Sequence, residues 1–235
     1  MSRANIHERV AANTRLKCEA KGCTRNRTWT KCYCAPCSRN WQHNGDPNAR
    51  AIYPGDYAAH LNLVRVLFTK YPHSAALLEA DRRMRECLDP GLPVKRKVQG
   101  NGAEKWHAWK QRTRLKDGKL DPRLALEHAV AVMFLAHEQP ARFPTARIES
   151  CAVANAIFRL VPYFGYVHWN PKTQRNYTSH VLPPCAGALT VLGEQVRMAL
   201  WPFARTVAKQ IEAEMLEENR RKAAIYKPLE ERTDA

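Results

Sequence analysis

The sequence predicts a mostly α-helical protein with a small metal-binding module at its N-terminus and one β-hairpin late in the chain. Three observations carry this. Four of the eight cysteines fall in two close pairs between Cys18 and Cys37. Further on, apolar residues recur every three or four positions through five separate stretches, the spacing of a helix face. One stretch, Tyr163 to Leu182, departs from that spacing and reads as two strand-like runs about the turn Asn170-Pro171-Lys172. The expected division is a zinc-binding module over 1–50 and a helical domain over 51–235. Within the latter lie a basic loop and helix (95–123), the hairpin (163–182) and a long C-terminal helix (186–222).

Met1 to Lys17 is polar and basic, with a short helical piece expected at His7 to Ala12. The module follows. A tetrahedral zinc ion needs four thiolates or imidazoles converging at roughly 2.3 Å (sulfur) or 2.0 Å (nitrogen), and two short loops that each supply a pair achieve this with little backbone ordering. Cys18 and Cys23 bracket Gly22, which gives a knuckle its permissive backbone, and Cys34 and Cys37 have the two-residue spacing typical of metal ligands. The expected ligands of one structural zinc ion are therefore Cys18, Cys23, Cys34 and Cys37, with Cys32 a rival to Cys34. A disulfide pair or four unliganded thiols is the alternative. Thr28-Trp29-Thr30 suits one arm of a short hairpin. Ser38 to His43 suits a short helix carrying the second pair at its first turn and ended by Asn44-Gly45-Asp46-Pro47. Hairpin then helix, with ligands at both ends, describes a treble-clef-like zinc knuckle.

At these residues the chain resembles a known class. Two cysteines around a Gly, a third about ten residues on, a fourth ligand three later, an aromatic (Trp41) and the closing Gly45-Asp46-Pro47 are similar to the zinc module of bacteriophage and mobile-element proteins. There it often precedes an HNH endonuclease domain. Cys37 stands where many members have His, and the likeness covers about thirty residues. In size, charge and N-terminal zinc site the chain also resembles the zinc-containing large subunit of type IV CRISPR complexes.

After a linker at Asn48 to Pro54, Asp56 is expected to cap a helix on which Tyr57, Leu61, Val64 and Phe68 recur. Tyr71-Pro72 breaks it. Ser74 caps a second helix with Leu77, Leu78, Met84 and Leu88, and so short a break predicts an antiparallel or bent pair. Asp89 to Gly102 is a loop around Lys95-Arg96-Lys97, followed by a basic helix over Glu104 to Lys116. Asp121-Pro122 is a strong helix start. Leu124 to His137, with Leu126, Val130, Met133 and Phe134, is apolar nearly all round and so is expected at the centre. A helix capped by Thr145 carries Ile148, Cys151, Ile157 and Leu160. Two helices, a hairpin and another helix suggest a winged-helix-like unit with a basic wing at Lys172 and Arg175. Leu189 to Met215 repeats by three or four over seven turns, with a kink expected at Pro202. Cys87, Cys151 and Cys185 read as core thiols.

The formal charge of +16 is concentrated. Residues 1–50 hold ten Lys or Arg against three acids, and residues 95–123 again hold ten against three. Such clustering is the footprint of a surface for a polyanion, with nucleic acid the expected one. The expected contacts are Arg25, Arg27, Lys31 and Arg39 on the module, and Lys95, Arg96, Lys97, Lys105, Lys110, Arg112 and Arg114 beyond it. Trp106 and Trp109 stand three apart among these cations, as bases to stack on or as core anchors. Base reading would come from Asn26, Gln42 or Asn44.

Catalytic patterns are missing. No His pair is followed by the Asn-Gly-Asn-like loop of an HNH site, His128 and His137 lack paired-histidine spacing, and there is neither a phosphate-cradling Gly-rich loop nor a nucleophile elbow. His73 and His107 remain as isolated candidates. The N-terminus lacks the apolar core of a signal peptide and no segment has eighteen uninterrupted apolar residues, so a cytoplasmic protein without a membrane partner is expected, one whose clustered thiols bind metal. The expected function is a non-catalytic, zinc-dependent nucleic-acid-binding protein (DNA or RNA) of a phage, plasmid or other mobile element. Two alternatives are a CRISPR-type (type IV) ribonucleoprotein subunit, acting in antiviral defence among other protein subunits and contacting guide RNA and target-flanking DNA, and an adaptor or inhibitor that binds a host protein.

Overall fold

The computed structural model describes residues 3–93, 101–161, 165–170, 173–180 and 186–230, of which 3–4, 165–170, 175–180, 186 and 222–230 are described by backbone alone. Lys95, Arg96, Lys97, Cys185, Lys172 and the side chain of Arg175 lie outside the described residues, as do 163–164, 171–172 and 181–182 of the expected hairpin.

Among the described residues eight helices dominate: α1 (Arg3–Thr14), α2 (Ala35–Asn44), α3 (Ala58–Lys70), α4 (Ala75–Leu88), α5 (Gly102–Asp117), α6 (Pro122–Glu138), α7 (Ala146–Phe158) and α8 (Ala186–Glu230). Between α7 and α8 the backbone of β1 (Gly165–Asn170) pairs antiparallel with β2 (Arg175–His180), Gly165 opposite His180 and Asn170 opposite Arg175. None of the described helices is long and apolar enough to cross a membrane.

Four of the described helices begin where a side chain satisfies free N–H groups of the first turn. Ser74 accepts from the Leu77 N–H at 3.3 Å, Asp121 from Arg123 at 2.9 Å and Thr145 from Ile148 at 3.3 Å. α5 starts with a reciprocal pair missed in the sequence: Asn101 Oδ1 accepts from the Glu104 N–H at 2.9 Å, and Glu104 accepts from the Asn101 N–H at 2.8 Å. Asp56 does not cap α3. It closes the 3-10 turn Pro54–Asp56 by accepting from the Tyr53 N–H at 2.8 Å, and its other oxygen takes Arg142 at 2.8 Å from beyond α6.

α6 is the centre of the helical body. Leu126, Val130, Met133 and Phe134 are all buried, as the all-round apolar pattern requires. α3, α4, α7 and α8 pack around it. α3 and α4 do not pack along one another as an antiparallel pair would. Each packs chiefly on α6 and α8, because Leu61, Val64 and Phe68 of one and Leu77, Met84 and Leu88 of the other all point into the common core. α7 and α8 make the most extensive contact, and Gly193 permits it: a Cβ there would stand 1.8 Å from the Ser150 carbonyl oxygen. α8 continues through Pro202 as one helix, reaches beyond the expected Lys222, and has Ile211 as its last buried residue among those described.

Candidate metal centre

The first cysteine pair is held by a small backbone ladder. Lys17 bridges Asn26 antiparallel, the Cys18 N–H donates to the Arg25 carbonyl at 2.9 Å, and Arg27 N–H donates to the Leu16 carbonyl at 2.9 Å. Gly22, at φ +76°, turns the chain back, in the left-handed region that glycine enters at no steric cost. Thr28-Trp29-Thr30 is not a strand arm. Trp29 has φ +51° and is exposed, and Lys31 N–H donates to the Thr28 carbonyl at 3.0 Å, so this stretch is a tight turn. Asn13 of α1 fastens it by donating to the carbonyls of Trp29 and, at 3.0 Å, Lys31.

The second pair sits at the start of α2, which begins earlier than Ser38. Cys34 is its N-cap residue, Pro36 occupies the first turn with Cys37 beside it, and Gly45 ends the helix at φ +80°. Pro at the start and Gly just past the end follow from the helix termini themselves.

These elements bring the sulfurs of Cys18, Cys23, Cys34 and Cys37 within 4.8 Å of one another. Cys23 and Cys34 are 3.7 Å apart. A tetrahedral ion with metal–sulfur bonds of about 2.3 Å would set its ligands about 3.8 Å apart, so the donor set fits a metal ion. Three of the four cysteines are buried. Cys32 is exposed and outside the group, which decides its rivalry with Cys34. None of the described cysteines is in a disulfide. Burial acts to raise the Cys34 thiol, but hydrogen bonds from the Cys37 backbone and the neighbouring sulfurs outweigh it and bring Cys34 down to about 7. Burial, then the Cys34 hydrogen bond, pushes Cys37 up to about 12. The Cys34 backbone N–H also donates to Cys18 Sγ at 3.3 Å.

The module is seated on the helical body through contacts that its cysteines do not announce. Arg147 of α7 stacks over Trp41 at 4.4 Å, Trp41 in turn lies 5.9 Å from Tyr33, and Asn155 donates to the His43 carbonyl at 2.9 Å. A Cβ on Gly45 would meet Cys151 Sγ at 3.0 Å and Arg147 Cγ at 3.1 Å. Gly45 is thus required both for its backbone angle and for the approach of α2 to α7.

The residues expected to meet nucleic acid divide into two sets. Arg25, Lys31, Arg39 and Lys110 are exposed, Lys105 is half-buried, and none of them has an ion-pair partner among the described residues. Lys110 lies over the Trp106 ring at 3.8 Å. Trp106 and Trp109 are both exposed, so neither is a core anchor. Arg27 is instead engaged within the module, donating to Glu19 at 2.7 Å and to the Lys17 carbonyl at 2.9 Å. Arg112 and Arg114 are not on the outer face: both are buried, at 1% and 6% exposure, with Arg112 donating to the Asp89 carbonyl at 2.9 Å and Arg114 to Gln111 Oε1 at 3.5 Å. Burial holds the Arg112 guanidinium below its usual range, opposed by Cys87 and Asp89. Asn26 and Gln42 are exposed, whereas Asn44 is half-buried and donates to the Ala49 carbonyl at 3.4 Å. His73 is exposed, and His107 packs edge-on against Trp106 with ring centroids 5.0 Å apart.

The first turns of α8 lie between the two basic regions. Ala188 and Val191 pack on Ala108 of α5, and Thr190 Oγ1 is 3.4 Å from Cys151 Sγ, the atom against which Gly45 rests. Two stretches some sixty residues apart in sequence therefore flank the same end of α8. The chain matches no family model, no curated protein and no solved structure.

Proposed function

We propose that this chain is a non-catalytic, zinc-dependent nucleic-acid-binding protein, of the kind phages, plasmids and other mobile elements carry. One zinc ion on Cys18, Cys23, Cys34 and Cys37 would supply the folding free energy that a module with only Cys18, Ala20, Cys34 and Cys37 in its core lacks. The short antiparallel bridge followed by a ligand-bearing helix supports the treble-clef-like reading.

The observation that carries the nucleic-acid reading is where cations are left unneutralised. On α4, Arg82 pairs with Glu79 and Glu86, Arg83 with Glu79, and Arg85 with Asp81. On the module and α5, by contrast, Arg25, Lys31, Arg39, Lys105 and Lys110 form no ion pair among the described residues. Phosphates are the natural counter-charge for cations placed in this way.

The test is elemental analysis together with a binding titration against duplex DNA, single-stranded DNA and RNA at two salt concentrations. One zinc per chain and an affinity that falls steeply with salt are expected. Chelation should unfold the module and abolish that binding while α3 to α8 keep their helical signal. A chain without zinc, or one that binds no nucleic acid, overturns the proposal, and zinc without nucleic-acid binding would turn attention to an acidic protein partner.

A further inference from the structure

Where α4 gives way to α5, the turn at Asp89 to Pro93 leaves a pocket of about 400 Å³ lined by Pro90, Gly91, Leu92, Pro93, Lys105, Trp109 and Arg112. Its aromatic wall is fixed in place: Trp109 Nε1 donates to the Pro90 carbonyl at 3.0 Å, while the ring remains 43% exposed. Arg112 is 1% exposed. One of its N–H groups donates to the Asp89 carbonyl at 2.9 Å, and its Nε has no hydrogen-bond partner among the described residues. Burial disfavours its charge and Cys87 and Asp89 nearby favour it, but none of the described carboxylates forms an ion pair with it, whereas buried charges are ordinarily paired. The pocket therefore combines a flat aromatic wall, apolar prolines and a surplus of donors. Trp106, one turn before Trp109 and exposed with Lys110 over its ring, continues this surface outward.

We propose that this pocket receives one unpaired base of a single-stranded nucleic acid. The inference rests on the nucleic-acid reading above and narrows it to strands with accessible bases. Trp109 stacks the base, Lys105 and Lys110 take the flanking phosphates, and the Arg112 guanidinium offers N–H donors to the base edge. Donors alone select bases that present carbonyl acceptors, so guanine, thymine or uracil is favoured over adenine, whose exocyclic amine is itself a donor. A paired duplex keeps its bases stacked inside and cannot fill such a site.

The experiment uses the full-length, zinc-loaded protein and fluorescence anisotropy with end-labelled 12-mers of thymidine, of adenosine and of abasic sugar-phosphate, and a 12-base-pair duplex, at two salt concentrations. The thymidine strand is expected to bind at least about tenfold tighter than the abasic strand, the duplex and the adenosine strand. Trp109→Ala is expected to remove that advantage, leaving abasic binding unchanged. Arg112→Met, which replaces the buried cation by a side chain of similar length, is expected to remove the preference over adenosine. Thermal melting checks that each variant is folded, and Trp109, being exposed, keeps the test open even if the Arg112 variant is not. Equal binding of thymidine, abasic and duplex ligands overturns the pocket while leaving the broader function standing, as does a Trp109→Ala variant that loses affinity for all ligands alike. Absence of any salt-sensitive binding overturns both.

Discussion

α4 and α5 are consecutive helices of 14 and 16 residues, and they are built in opposite ways. α4 turns Leu77, Ala80, Met84 and Leu88 inward and neutralises its outward arginines with its own acids. α5 buries Arg112 and Arg114 and leaves Trp106 and Trp109 exposed. The first arrangement is what folding alone produces, with apolar area removed from water and charges left in it. The second runs against folding on both counts. A helix that leaves two indoles in water makes sense when something outside the chain covers them, and this is why the proposed binding surface is placed on α5 rather than α4.

That contrast predicts that stability and binding will rank variants in opposite orders. The largest effect on stability should come from α4: Met84→Ala, at a site with no exposure, is expected to lower unfolding free energy by about 2–5 kcal/mol in denaturant titration while leaving nucleic-acid affinity unchanged under folding conditions. Arg112→Ala should cost about 1–3 kcal/mol, because the Asp89 carbonyl loses its donor. Trp106→Ala, 49% exposed, should shift the melting temperature little yet weaken single-strand binding about fivefold or more. Lys105→Gln with Lys110→Gln is expected to leave melting unaltered and reduce the slope of log affinity against log salt by about 2. The smallest effect belongs to α4's exposed arginines. Changing Arg82 and Arg85 together to Gln should move neither melting nor the salt slope measurably, since these cations already face their own acids. If that double variant weakens binding as much as the α5 pair does, the contrast between the helices collapses.

Features fixed by local rules were legible in the sequence. The cysteine spacing picked out the four sulfurs that converge, and Ser74, Asp121 and Thr145 cap the helices their positions suggested. The all-round apolar run at Leu126 to Phe134 became the central helix. What was hidden depends on partners distant in sequence. Arg112 and Arg114 look like any surface cations until packing buries them, Arg112 on the Asp89 carbonyl 23 residues away. Asp56 fits a helix cap until Arg142 arrives from 86 residues away and its other oxygen closes a 3-10 turn. Trp29 has the propensity of a strand residue, yet the need to return the chain to the second ligand pair forces it into a turn at φ +51°. The Asn101 and Glu104 pair was readable from its three-residue spacing, and the early start of α2 from Pro36.

The 45 residues of α8 carry a consequence for how the molecule moves through water. At 1.5 Å per residue the helix extends about 68 Å. A compact chain of 235 residues has a radius of gyration of about 18 Å, and such a body is shorter than this rod. Beyond Glu214, which still meets Lys70 at 3.0 Å, the helix leaves the packed body, and the protruding portion adds friction out of proportion to its mass. The protein should therefore sediment more slowly and elute earlier from a sizing column than a sphere of 26.9 kDa, and its rotational diffusion should be faster about the α8 axis than across it.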